Sequence, residues 1–229
     1  MTTATLQVEL EAGAADLGLT LSQTRITQLL DYLALLQKWN RVYNLTAVRD
    51  LQDMLHQHVL DSLAVVPALA RELRNQGKIS RAAVLDVGSG AGLPGVVIAV
   101  CCPDVRVVCV DAVAKKAAFV RQVAVALGLA NLQAVHGRVE ELPDVYDVVC
   151  ARAFASLADF VRWSRHLVAP GGCWMAMKGQ QPDAEIAVLP SEVQVFHVEQ
   201  LVIPGLDAHR CIVWMRDALA ASANPAPAA

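Results

Sequence analysis

Val84-Leu-Asp-Val-Gly-Ser-Gly-Ala-Gly-Leu-Pro-Gly95 is the stretch whose reading decides the fold. A short apolar run of strand type ends at Asp86-Val87, and four glycines follow at alternate or near-alternate positions before an apolar segment continues to Cys102. A strand that enters a glycine-rich turn and leaves as a helix is the opening β-α unit of a doubly wound sheet. There the backbone must approach a ligand closely, and side chains would obstruct it. A tight turn alone does not account for four glycines in this register directly behind a strand.

Downstream, β-branched runs alternate with segments of helix length. Val84–Val87, Val105–Val110, Leu132–Val135, Val145–Cys150 and Gly172–Met177 read as strands, and Ala114–Gly128 and Ser156–Val168 as helices. Continuous apolar strands separated by helices imply a parallel sheet covered on both faces. Beyond Pro190, Val193–Ile203 and Cys211–Met215 joined through Pro204-Gly205 suggest an antiparallel pair that closes the sheet. Upstream, the character is helical. Ser22 can cap a helix carrying Ile26, Leu29, Leu30, Leu33, Leu36 and Trp39, and a second stripe starts at Asp50 and runs from Met54 to Val66. The expected fold is α/β: a mainly parallel seven-stranded sheet with an antiparallel last strand, plus an N-terminal helical cap. The expected division is 1–80 for the cap, 81–217 for the ligand-binding domain and 218–229 for a loose tail.

Composition narrows the function. The chain has 229 residues, 55% of them hydrophobic, with 19 Lys+Arg against 22 Asp+Glu and a net charge of -3. That excludes a disordered chain and a strongly basic nucleic-acid-coating protein, but not a local basic patch. The densest apolar run, Gly95 to Cys102, is cut by Pro103, Asp104 and Arg106, well short of the about 20 residues a membrane helix needs. Glu9, Glu11 and Asp16 stand where a signal peptide would carry positive charge, so the expectation is a cytoplasmic protein with no membrane partner. Cys101, Cys102, Cys109, Cys150, Cys173 and Cys211 show no CxxC spacing, and His56-Gln57-His58 is too sparse for a site, so no metal is expected.

Two ligand classes compete for the loop. Gly90-Ala-Gly-Leu-Pro-Gly95 matches the GxGxxG dinucleotide fingerprint. Against it, Asp86 at the strand end would repel a pyrophosphate and suits a cofactor with a cationic amino group. Pro94 also removes a backbone N–H from the cradle. Asp111, ending the second strand, can accept ribose hydroxyls in either case. The charge argument favours S-adenosylmethionine over a nicotinamide dinucleotide.

The chain resembles a class I (Rossmann-like) S-adenosylmethionine methyltransferase and, more narrowly, the RsmG or GidB family of bacterial 16S rRNA guanine-N7 methyltransferases. The resemblance rests on Trp39-Asn-Arg-Val-Tyr-Asn-Leu-Thr46, His58-Val-Leu-Asp-Ser62, Asp86–Gly95, Arg138-Val-Glu-Glu141, Arg152-Ala-Phe-Ala-Ser156 and Met177-Lys-Gly179. It implies that Gly88 and Leu93 touch the cofactor and that Val139 and Glu140 hold its adenine. Arg152 would face both cofactor and methyl-transfer site, and 16S rRNA or a small-subunit precursor would be the partner of a monomer. From the residues themselves, Asp86, Gly90 and Asp111 join the cofactor set.

The chemistry of the remaining residues agrees with that implication. N7 of guanine carries an exposed lone pair, so no general base is required and alignment supplies most of the rate. No Asn/Asp-Pro-Pro-aromatic loop of the kind used on exocyclic amines follows Cys150, and Cys102-Pro103 lies away from the strand ends, where a cysteine nucleophile would have to stand. Arg152 and Lys178, at or just beyond the ends of buried strands, are the expected catalytic-side RNA contacts. Lys115, Lys116 and Arg121 adjoin the expected cofactor mouth, where phosphate could meet them. His58, Asp61 and Ser62 are expected on a helix in which 58 and 62, one turn apart, share a face, either on the substrate side or as a satisfied polar cluster. Open alternatives are a small-molecule methyltransferase, an NAD(P)-dependent oxidoreductase and a non-catalytic nucleotide-binding module.

Overall fold

The structure is a computed structural model that describes residues 2–218; residues 219–229, nearly all of the expected tail, lie outside the described residues. The chain opens with α1 (Thr3–Asp16) and α2 (Gln23–Tyr43), capped by the hydroxyls of Thr2 and Ser22. Asp50 caps α3 (Leu51–Met54), which continues through a π turn, Leu55–Leu60, into α4 (Asp61–Leu63) and then α5 (Val66–Asn75). The α/β part follows: β1 (Ala83–Val87), α6 (Gly95–Cys101), β2 (Arg106–Asp111), α7 (Ala114–Ala126), β3 (Leu132–His136), β4 (Tyr146–Arg152), α8 (Leu157–Ser164) and β5 (Val168–Lys178). It ends with α9 (Asp183–Ala187), β6 (Val193–Leu201) and β7 (Arg210–Asp217).

The seven strands are ordered β3-β2-β1-β4-β5-β7-β6. β1 to β5 pair in parallel; β7 runs antiparallel between β5 and β6. The expected sheet is therefore present. The strand order reverses between β1 and β4, and an open α/β sheet places its ligand beyond the strand ends at that point.

Alternation along each strand assigns residues to two cores. Val84, Val107, Cys109, Val148, Cys150, Met175, Met177, Ile212 and Trp214 face one core, shared with α1, α2, the α3–α5 segment, α6 and α7. Leu85, Val87, Val108, Val110, Val149, Ala151, Trp174, Ala176 and Val213 face the other, covered by α8 and its flanks. A period of two fixes which way each terminal polar residue turns. Arg152 is in step with Val148 and Cys150, and Arg210 with Ile212 and Trp214, so both turn toward the N-terminal helices. Lys178 is in step with Trp174 and Ala176 and turns to the opposite face.

His58 and Asp61 border the larger of two adjoining clefts, while Ser62, one residue beyond, is fully buried with its hydroxyl unpaired among the described residues. No described helix is long and apolar enough to cross a membrane.

Candidate functional site

Two clefts adjoin at Gly88, beyond the ends of β1 and β4. The larger, about 460 Å³, runs along the glycine loop past Gly90 and Leu93 to Arg152 and Lys178 and is walled on the helical side by Thr46, Gln57, His58 and Asp61. The smaller, about 200 Å³, lies between the ends of β1 and β2 and is lined by Asp111, Val139, Glu140, Phe154 and Trp163.

The glycine loop owes its shape to close contacts on both sides. Gly88 has φ +63°, and a Cβ there would collide with the Phe154 ring. Gly95 packs so tightly on Asp86 and Cys109 that a Cβ would overlap them. From the helical side, Tyr32 Oη donates to Ala91 O at 2.9 Å and ties α2 to the loop. Asp111 stiffens the loop from below: its Oδ2 accepts from Gly90 N at 2.9 Å and its Oδ1 from Val113 N at 2.8 Å. Its carboxylate still borders the smaller cleft, with Lys116 Nζ 3.8 Å away.

Asp86 requires a correction. The expectation set it against a cationic group of the cofactor, but it reaches neither cleft and is fully buried beneath the loop, where its Oδ2 accepts from Gly95 N at 2.8 Å. Burial raises its pKa to about 7, against the lowering effect of the Gly95 N–H and of Arg152. In step with Val84, Asp86 points into the core, where it braces the glycine loop through Gly95 N.

Arg152 is where the sequence placed it, but it is not free. Its Nη1 donates to Gln57 O at 3.1 Å and to Asp61 Oδ2 at 2.9 Å, which binds the end of β4 to the π segment. Lys178 also borders the larger cleft, yet its ammonium is fully engaged. It donates to Ala155 O at 3.0 Å and to both oxygens of Glu185 at 3.0 and 2.9 Å. Burial works to raise the Glu185 pKa, but the Lys178 hydrogen bond and the Leu157 N–H overcome it and hold the carboxyl below its usual value. Lys178, expected as an RNA contact, thus stands at the cleft rim with its ammonium held toward α9, where it braces the turn that carries Phe154.

His58 completes the helical wall. Thr46 Oγ1 accepts from Val48 N at 3.2 Å and is hydrogen-bonded to His58 Nε2 at 2.8 Å. Burial, then the charge of Arg152, lowers the His58 pKa to about 4, so the ring is neutral at pH 7. Asn40, 2% exposed, closes the segment between α2 and α3 by accepting from Thr46 N and donating to Val48 O, both at 2.9 Å. Among the described residues no group of three His, Cys, Asp or Glu could hold a metal.

The family model described as rRNA small subunit methyltransferase G matches residues 25–213. The chain belongs to this family. As a member of the methyltransferase G family it is a methyltransferase that uses S-adenosylmethionine. The ribosomal RNA small subunit methyltransferase G of Acidovorax sp. (strain JS42) is 63% identical over 211 residues, covering 90% of this chain and 93% of that protein. The corresponding protein of Paracidovorax citrulli (strain AAC00-1) is 58% identical over 226 residues, covering 96% and 93%. Among solved structures, TrmN from Thermus thermophilus superposes with a TM-score of 0.52 at 19% identity, over 68% of this chain and 48% of that one. Coclaurine N-methyltransferase, bound to N-methylheliamine and SAH, gives 0.51 at 12% identity over 87% and 74%. The [4+2]-cyclase SpnF gives 0.53 at 12% over 67% and 81%. These likenesses show the fold alone, and the cyclase illustrates that the fold does not dictate the reaction.

In this methyltransferase G chain the residues named from sequence divide into three groups. Gly88, Gly90, Leu93, Asp111, Val139, Glu140 and Arg152 converge on the paired clefts; Lys178 borders them with its charge spent; Asp86 stands behind them. Sequence reasoning missed Arg210, whose Nε donates to Asp61 Oδ1 at 2.7 Å, and the aromatic wall of Phe154 and Trp163, T-shaped at 5.7 Å. Counting parity along β7 from its buried Ile212 would have found the first. Nothing in the local sequence marks the second, because the two residues meet only through the fold.

Proposed function

We propose that the chain transfers the methyl group of S-adenosylmethionine to N7 of a guanine in 16S rRNA, presented as RNA or as a small-subunit precursor in the cytoplasm. One observation carries the reading: at the switch point a cleft suited to an adenosine opens, through Gly88, into a larger cleft headed by Arg152. The residues present fit the cofactor. A Cβ at Gly88 would fill the junction, and carboxylates with ribose- and amine-accepting chemistry, Asp111 and Glu140, stand beside Val139, Phe154 and Trp163, which offer an apolar slot for a purine.

Asp111 would accept ribose hydroxyls while its backbone partners keep it oriented, and Val139 and Glu140 would hold the adenine edge. Gly88, Gly90 and Leu93 would form the floor along the amino-acid end of the cofactor. When bound, the cofactor supplies an electrophilic methyl group on a sulfonium. The chain's task is to hold N7 in line with it and exclude water, which suits a nucleophile that loses no proton on attack. The wall agrees: His58 is neutral, and burial pushes all six thiols above their usual range, which leaves them unsuited to nucleophilic attack. Arg152 would orient the reacting groups from the end of β4. We further read 1–80 as a cap over the ligand edge of an 81–217 catalytic unit acting as a monomer. The test is transfer of labelled methyl from the cofactor to 16S rRNA from a strain lacking the gene; failure of the purified chain to label a guanine at N7 in free RNA or in the subunit refutes the reading.

A further inference from the structure

Among the described residues, Asp61 is the one carboxylate that borders the larger cleft from the helical side, and its side chain is only 3% exposed. Two arginines from distant parts of the chain divide it. Arg152, at the end of β4, takes Oδ2 at 2.9 Å; Arg210, at the start of β7, takes Oδ1 at 2.7 Å through Nε. The arginines are 22% and 27% exposed, and both line the cleft. The same two segments touch again nearby. His56, in the π turn, donates through Nδ1 to Pro204 O at 3.0 Å, and Gly205 lies so close beneath its ring that a Cβ would collide with it. Ile203 in the same loop is buried in the core shared with the N-terminal helices. The β6–β7 loop is thus docked on the π turn, and the start of β7 on the start of α4.

We propose that Arg210 is a positioning residue for the methyl-transfer cleft, acting through Asp61 on Arg152; this rests on the reading of the cleft given above. A carboxylate and a guanidinium with no competitor close into a two-bond fork. By holding Oδ1, Arg210 leaves Arg152 a single oxygen, with Gln57 O as its other partner, and so keeps the Arg152 guanidinium extended toward the cleft. Without Arg210, Oδ1 is a buried acceptor free to draw Arg152 into a fork with Asp61 and away from the substrate. Displacements of this order at a reacting centre are costly in rate. The β6–β7 pair, otherwise remote from the glycine loop, thereby sets the geometry at the cleft.

The test compares the full-length wild type with Arg210→Met, Arg210→Lys, Asp61→Asn and the double variant Asp61→Asn/Arg210→Met, all confirmed folded by circular dichroism. Methylation of 16S rRNA gives kcat and KM, calorimetry gives the affinity for S-adenosylhomocysteine, and nitrogen-15 NMR follows the Arg152 side chain without substrate. Expected for Arg210→Met is a fall in kcat of about tenfold with KM for RNA within about threefold, and a displaced Arg152 Nε–H resonance. Arg210→Lys recovers part of the loss, and the double variant is no slower than Asp61→Asn alone. An unmoved Arg152 resonance, a kcat within about twofold of wild type, no recovery by lysine, or losses that multiply in the double variant overturns the proposal. Failure of the wild type to methylate the RNA overturns the substrate reading instead, and the Arg152 resonance then decides the positioning role by itself.

Discussion

Replacing Asp86 by Asn separates two roles a carboxylate could have behind a glycine loop. The side chain is fully buried and its pKa rises to about 7 from an ordinary value of 3.8. The folded state therefore binds the Asp86 proton more tightly than the unfolded chain. The resulting stabilisation is complete below pH 3.8 and is lost as pH rises through 7. A shift of this size corresponds to about 4 kcal/mol at most. Asn offers Gly95 N–H the same acceptor without a charge to desolvate. Urea unfolding of both proteins from pH 4 to pH 8 is expected to show near-equal stability at the acid end. The difference then swings toward the variant by up to about 4 kcal/mol at the alkaline end. His58 is common to both and cancels. Because the carboxylate reaches neither cleft, the variant's affinity for S-adenosylhomocysteine at pH 8 stays within about threefold of wild type. A charged hydrogen bond to the ligand would make that loss roughly 30-fold. A stability difference flat with pH, or a ligand affinity lowered that far, refutes the buried-brace role.

Further outcomes follow from the same geometry. Gly88→Ala places a Cβ against Phe154 at φ +63°, and S-adenosylhomocysteine affinity is expected to fall by about tenfold or more with a stability loss of about 1–3 kcal/mol; calorimetry and thermal melting read both, and an unchanged affinity counts against the junction. Glu140 is exposed at the smaller cleft, so Glu140→Gln should weaken that ligand several-fold with a melting temperature within about 1 °C of wild type; equal binding removes it from the site. His58 has its folded pKa lowered to about 4, so its contribution to stability is present above pH 6.5 and lost as pH falls toward 4; Asp86 opposes it across that range, and in His58→Gln the opposing slope stands alone, making unfolding stability rise more steeply on acidification than in wild type. An identical pH profile for the two proteins sinks that assignment.

The sheet was legible because buried parallel strands leave continuous β-branched runs, and the loop because four glycines behind a strand have few other uses. What was not legible depends on the face to which a residue turns. Asp86, Arg152 and Lys178 all stand at or next to strand ends and look alike in sequence; register against the two cores sends Asp86 inward, Arg152 to the N-terminal helices and Lys178 to α9. The π turn was invisible for a related reason. Its residues satisfy a helical periodicity, and the extra residue per turn goes with contacts made far away, Gln57 O with Arg152 and His56 with Pro204. The insertion of β7 between β5 and β6, which brings Arg210 to Asp61, is likewise a matter of long-range packing that no local pattern encodes.

The most direct test of the account is to map N7-methylguanine in 16S rRNA from cells with and without this gene, complemented by the wild type or by Arg152→Met. One such guanine is expected to disappear on deletion, to return with the wild type and not to return with the variant. A methylation map that deletion leaves unchanged contradicts the account.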